Sequence, residues 1–367
     1  MKRDLFVFAG QSNMMGAAVL PPKRELRIEN SFEYKHKLRR LGKTDTPFVK
    51  AGYPVGEFSY IDLEKAYGED MTDEKGRSKL CDYTKNTYFC PSMSNLKSEE
   101  SREVSFFSSF SESTAKASPT LAPFIAEEWE KLGGACAYAH IAKGAISIDY
   151  YFTDEMTLEY KARMTEHNRK SGENYKTEIL DSRRISGAAE YFAEKCRNFF
   201  ADAEKRFSGD DLSDKCFFWL QGEGDVALSS TEYEMKLDIL WEQIKTLGFT
   251  HFFCIRIDYF GSHGIYKVMR AQEDFVSKHP DAYMLTRAAS YLTYPGQNED
   301  EWFISPPSKE YRECRDSYYG YTNHHINERG FSVIAKHAIT NLQRVLMLKE
   351  EPVLEAENIK VLKQWPR

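Results

Sequence analysis

The sequence predicts an α/β protein, a doubly wound three-layer α/β/α sandwich on a five-stranded parallel sheet. Three observations carry this. Short apolar blocks recur along the 367 residues, each bounded by Gly, Asp or Lys, as strands buried on both faces are. Between them, apolar residues recur at spacings of three and four, the pattern of helices with one packed face. Strand and helix alternate, which calls for parallel strands joined by right-handed crossovers.

The first strand is Leu5-Phe6-Val7-Phe8, ending at Gly10. Residues 135–142, 216–220, 251–257 and 282–286 supply the other four. A helix is expected over 123–132. A second follows the stripe Ile185, Ala188, Phe192, Cys196, Phe199, Ala203 and Phe207. A third follows Tyr233, Leu237, Leu240, Ile244 and Leu247, and the last Phe331, Ile334, Ala338, Leu342 and Val345. Three stretches break the rhythm: 20–120, 149–183 and 288–321. The first is polar and far longer than the roughly 2–6 residues of an ordinary βα connection. It reads as an insertion after strand one, a lid or substrate wall at the carboxyl edge of the sheet, where open α/β sheets bind ligands. The aromatic openings of the other two, including Tyr150-Tyr151-Phe152, read as further walls. The expected organisation is one domain over 1–350, insertion included, with a tail at 351–367.

Acidic residues outnumber basic ones, 56 to 50, for a formal charge of −6. That argues against nucleic-acid partners, which need clustered Lys and Arg. No run approaches ~18 apolar residues, so no membrane span is expected. The 14% aromatic content argues for a folded chain. Seven cysteines without a CxxC pair argue against a disulfide framework or a zinc ribbon. Cys136, Cys196, Cys216 and Cys254 fall inside apolar patterns, as core thiols do. The apolar stretch after Met1 is too short for a signal h-region, so a cytoplasmic location is expected. A secreted protein produced without its signal would read the same.

Chemistry gathers after the strands. Strand one runs into Gly10-Gln11-Ser12-Asn13-Met14-Met15-Gly16, strand two into Lys143-Gly144-Ala145-Ile146-Ser147, and strand three into Gln221-Gly222-Glu223-Gly224-Asp225. His324-His325-Ile326-Asn327-Glu328-Arg329-Gly330 opens the last helix. Each segment alone has a plain structural reading: Ser12 as a helix cap, Gly144 as a turn, Asp225 as a cap for the helix near Ser230. Together they fit acyl transfer. A serine hydroxyl needs a base to remove its proton, and His suits that at neutral pH. The backbone N–H groups of Ser12 and Gly144 and the amide of Gln221 are candidate oxyanion donors. No G-x-S-x-G elbow is present, which argues against an ordinary α/β-hydrolase. No HExxH motif or Cys/His cluster appears, so neither a metal nor another cofactor is expected.

The blocks resemble those of the SGNH-type carbohydrate esterases, in particular the sialate O-acetylesterase and acetylxylan esterase branch (carbohydrate esterase family 6). Gly10-Gln11-Ser12-Asn13-Met14 resembles the first block and Ala142-Lys143-Gly144-Ala145-Ile146-Ser147-Ile148 the second. Gln221-Gly222-Glu223-Gly224-Asp225, Met269-Arg270-Ala271-Gln272 and His325-Ile326-Asn327-Glu328-Arg329-Gly330 resemble later blocks, in family order. The resemblance implies a flavodoxin-like SGNH hydrolase fold and a carbohydrate O-acetylesterase. It implies Ser12 as nucleophile, His325 as base, and Ser12, Gly144 and Gln221 as the oxyanion hole. The sequence departs from the family at three places. Ala145-Ile146 replaces Gly-Thr, Leu220 stands where His is frequent, and Thr322 stands where an Asp precedes the catalytic His. Glu223, Asp316 and Glu328 are candidate acids in its place, Glu223 foremost, with a Ser–His dyad as the alternative. The expected partner is an acetylated carbohydrate, and an acetyl group beside Ile146 is expected to be preferred over longer acyl chains. Two other functions share the site: polysaccharide O-acetyl transfer, and carbohydrate binding without catalysis. Oligomeric state is not legible.

Overall fold

The computed structural model describes residues 1–15, 26–34, 47–51, 120–142, 144, 146–179, 187–257, 264–292, 326 and 328–354. Its centre is β1 (Lys2–Gly10), hydrogen-bonded to β4 (Cys136–Ala142) on one side and β5 (Asp211–Leu220) on the other. β6 (His251–Ile255) and β7 (Ala282–Thr286) extend the sheet beyond β5, and all these pairings are parallel. All five predicted strands are therefore present, in the doubly wound order expected. The sheet has seven strands, because β2 (Phe32–Tyr34) pairs parallel with β4 and β3 (Phe48–Lys50) pairs antiparallel with β2. Both come from the stretch read as an insertion, so part of it extends the sheet instead of covering its edge.

Side-chain alternation along β5 explains the two packed faces. Phe218 stacks on Phe8 at 4.5 Å between ring centroids and lies 5.0 Å from Phe6. Phe217 and Trp219 point the other way, toward Phe192, Phe252 and Tyr151. Such ring pairs add about 0.5–1.5 kcal/mol each beyond their burial. On the first face lie α2 (Leu121–Lys131) and the last helix, joined by the stacked rings of Phe124 and Phe331. The crossovers from β4 to β7 supply the other layer: α3 (Asp154–Ser171), α4 (Ala188–Arg206), α5 (Ser230–Lys245) and α6 (Ile265–Lys278). The short α1 (Ser12–Met15) leaves β1, and α7 (Ala288–Leu292) follows β7. The last helix, α8 (Glu328–Gln343), runs into a π-turn at Arg344–Leu348.

The stretch 149–183 is not a substrate wall throughout. Tyr151 and Phe152 are buried, and α3 occupies most of the rest. Only Met156, Tyr160 and Met164 of α3 are buried, so its apolar signal in the sequence is thin. The helix is fixed instead by local chemistry. Thr153 accepts from Met156 N at its start, and Gly172 closes it in the left-handed conformation. Cys136, Cys196, Cys216 and Cys254 are fully buried, and burial pushes their thiols above the ordinary value. No helix among the described residues is long and apolar enough to cross a membrane.

A buried ion pair lies below the carboxyl edge. Lys236 Nζ of α5 meets Asp149 Oδ1 at 2.6 Å, with both side chains nearly inaccessible. Lys236→Met leaves Asp149 charged in the interior and should cost about 3–5 kcal/mol in denaturant unfolding. Replacing both partners, as in Lys236→Met with Asp149→Leu, should recover most of that loss.

Candidate active site

The register brings three strand ends to one line: Gly10 lies opposite Ala142 of β4 and Leu220 of β5. The segments after β1, β4 and β5 therefore leave the sheet side by side, which is why residues distant in sequence meet. Gln11 N continues the ladder by donating to Leu220 O at 3.1 Å. Gln11, Asn13 and Met14 are buried, and Ser12 between them is the residue of this turn that is partly exposed.

The turn depends on Gly10. Its φ of +149° is one that side chains resist, and a Cβ there would lie 2.0 Å from Leu220 O. Tyr151 holds its backbone: Gly10 N donates to the phenolic oxygen at 3.2 Å, and the hydroxyl donates to Gly10 O at 2.9 Å. Gly10→Ala must displace β5 and should destabilise the protein by about 3 kcal/mol or more in denaturant unfolding.

Asn13 joins the parts of the site. Its Nδ2 donates to Glu223 Oε1 at 2.9 Å, and its Oδ1 accepts from Ile326 N at 3.0 Å. Glu223, in a 3-10 turn (Glu223–Asp225) after β5, is buried at the same edge as Ser12, as expected. His325, Thr322 and Asp316 lie outside the described residues, as does the side chain of Glu328. Ile326 follows His325 directly in the chain, and its N–H is the one fixed on the neighbour of Ser12.

Gly144 lies on the segment after β4 and is partly exposed. Gln221 is fully buried and differs from the expected open donor. Its Nε2 lies 2.6 Å from Asp225 Oδ2, 3.1 Å from Ile146 O and 3.2 Å from Gln11 Oε1. Two N–H groups already serve three acceptors. Its Oε1 and main-chain oxygen share the single hydroxyl hydrogen of Tyr233, at 2.7 and 2.9 Å from Oη, and Gln272 Nε2 also donates to Gln221 O at 2.9 Å. Gln221 ties the three segments together, and any donation to an oxyanion requires it to release one of these acceptors. The Gln272 contact gives the Met269-Arg270-Ala271-Gln272 segment its place in the site.

Ile146 also differs from expectation. Its side chain is 1% exposed and packs into the core, so it offers a substrate no wall. Its oxygen lies 2.5 Å from where a Cβ of residue 224 would be, so Gly224 allows the two segments to touch. Asp225 does not cap α5, since Ser229 does. It is fully buried, and Oδ2 accepts from Ile148 N at 2.8 Å as well as from Gln221. Burial, and then the charge of Asp149, push its carboxyl up to about 7, against the pull of Lys236. The sequence marks Tyr151 as a wall and Tyr233 as a stripe residue, not as hydrogen-bonding partners of the site, and it does not mark Lys236. Lys236, three residues after Tyr233 and next to Leu237, sits on a packed helical stripe, and that was the available signal. Among the described residues, no group of three His, Cys, Asp or Glu side chains is placed to hold a metal ion.

No protein-family model matches the chain, and no curated protein matches it. Solved structures do resemble it at low similarity. A protein from Arabidopsis thaliana is 11% identical with a TM-score of 0.43, over 92% of this chain and 96% of that one. NanS is 12% identical with a TM-score of 0.43, over 94% and 97%. XAC1771, a carbohydrate acetylesterase from Xanthomonas citri, is 10% identical with a TM-score of 0.32, over 76% and 48%.

Proposed function

We propose that the protein is a serine hydrolase that removes acetyl groups from a carbohydrate through an acetyl-Ser12 intermediate. The observation that carries this reading is the Asn13 bridge. Asn13 is the residue next to Ser12, and it binds both Glu223 and the backbone directly after His325. The Ser12 turn, Glu223 and the backbone at Ile326 thus meet at one side chain, which supports reading Ser12 as nucleophile, His325 as base and Glu223 as acid.

In this reading His325 takes the Ser12 hydroxyl proton as Oγ attacks the ester carbonyl. The backbone N–H groups of Ser12 and Gly144 receive the oxyanion, and Gln221 keeps their two segments in register. The imidazolium gives its proton to the departing sugar hydroxyl. Water, activated by the same imidazole, then releases acetate and restores Ser12. Glu223 supplies the charge that Thr322 cannot, facing the imidazolium.

The test is acetate release from acetylated xylans, acetylated sialic acids and acetylated bacterial polysaccharides, with Ser12→Ala as control. Release that depends on Ser12 supports the reading. An acetyl group passed only to the hydroxyl of an added sugar acceptor, with no free acetate, makes the protein a transferase. Sugar binding with neither activity makes it a binding protein.

A further inference from the structure

We propose that Asp225 is a positioning residue of this site, a clamp in which one carboxylate oxygen holds the segment carrying Gly144 against the segment carrying Gln221. This rests on the hydrolase reading above for its catalytic consequence, though not for the clamp itself.

The geometry is specific. Asp225 Oδ2 accepts from the backbone of one segment, Ile148 N at 2.8 Å, and from the side chain of the other, Gln221 Nε2 at 2.6 Å. The same Gln221 nitrogen reaches back to Ile146 O and across to Gln11 Oε1, at the end of β1. The distance between the Ser12 turn and the Gly144 segment is therefore set through Asp225 and Gln221. Oxyanion donors act only when aimed beforehand, and a misplacement of about 1 Å can cost a hundredfold in rate.

Burial first, and then the charges around it, make the clamp pH-sensitive. Asp149, from the 3-10 turn Ile148–Tyr151, raises the Asp225 proton affinity, and Lys236 of α5 lowers it. Tyr233 of α5 also faces it, Glu223 of the same turn as Asp225 acts on Tyr233, and Lys236 lies over the ring of Tyr160 from α3. An ionised carboxylate is the stronger acceptor, so the clamp tightens as Asp225 loses its proton. The folded chain holds that proton up to about pH 7, whereas an ordinary Asp loses it near 3.8. Between those values the folded state binds more protons than the unfolded state. Asp225 therefore lowers stability progressively as pH rises through that window, and the loss is complete above it. The clamp is fully formed where it is least favourable for folding.

Three measurements test this on the full chain. With the best acetyl ester, Asp225→Asn should lower kcat about a hundredfold while KM moves less than about threefold. The acid limb of log kcat against pH should change from a slope approaching two, His325 and Asp225 together, to a slope of one. Unchanged kcat, or a loss confined to KM, overturns the positioning role. Melting followed from about pH 4 to about pH 8 should show Asp225→Asn gaining on the wild type as pH rises; a constant difference overturns the titration. Amide hydrogen exchange over residues 146–151 needs no substrate. Asp225→Ala should speed exchange there about tenfold or more, and unchanged exchange overturns the clamp. Asp225→Asn, close in shape, carries this arm if the alanine variant does not fold. Should the wild type release no acetate from any substrate, the hydrolase reading falls and the exchange and melting arms still judge the clamp.

Discussion

Ser12→Ala is expected to remove at least about a thousandfold of acetate-ester turnover, the scale of loss when a triad member is deleted. The substitution should leave the fold unchanged. No hydrogen bond of the Ser12 hydroxyl is found among the described residues, and the side chain lies at a partly exposed turn. The buried contacts of that turn belong to Gln11 and Asn13, which the substitution leaves in place. Thermal melting and turnover therefore separate. An unchanged melting temperature with turnover gone identifies the nucleophile. Near wild-type turnover removes Ser12 from the mechanism and the acetyl-enzyme with it.

Glu223→Gln carries the second large effect, a loss of kcat of about a thousandfold. Glutamine keeps an oxygen for Asn13 Nδ2, which Glu223 Oε1 now receives at 2.9 Å, so the Asn13 bridge can persist. What disappears is the negative charge that the proposed mechanism sets against the imidazolium. Asp316→Asn should cost much less. Measuring both on one substrate ranks the candidates, and a reversed order makes Asp316 the acid. If neither variant loses more than a few-fold, a Ser–His dyad works without a carboxylate, and Glu223 serves only to hold Asn13.

The five central strands were legible because each is a short apolar run buried on both faces, and such runs have few other places in a folded chain. β2 and β3 were not, since three residues in a polar stretch carry too little periodicity, and their pairing is decided by the free edge of β4. α3 was hidden for a related reason. Its buried positions are few, and its ends are set by Thr153 and Gly172 more than by an apolar stripe. At the site, the sequence order of Gln11, Ser12, Gly144, Gln221 and Glu223 after successive strands was enough to place them at one edge, because parallel strands all end on the same side.

The sequence by itself determined the sheet, the edge where the polar segments gather, and which residue types gather there. These follow from local hydrophobic pattern and from the direction of parallel strands. Tertiary structure alone decided how the polar atoms pair. Gln221 has only two N–H groups, and three acceptors from separate segments surround them. Asp225, whose plain structural reading in the sequence is a helix cap, instead shares one oxygen between Ile148 and Gln221. The physical reason is that hydrophobic burial is a property of each segment and can be read along the chain. A buried hydrogen bond instead depends on tenths of an ångström between residues as far apart in sequence as Ile148 and Asp225, 77 positions, and only the packed structure sets those distances.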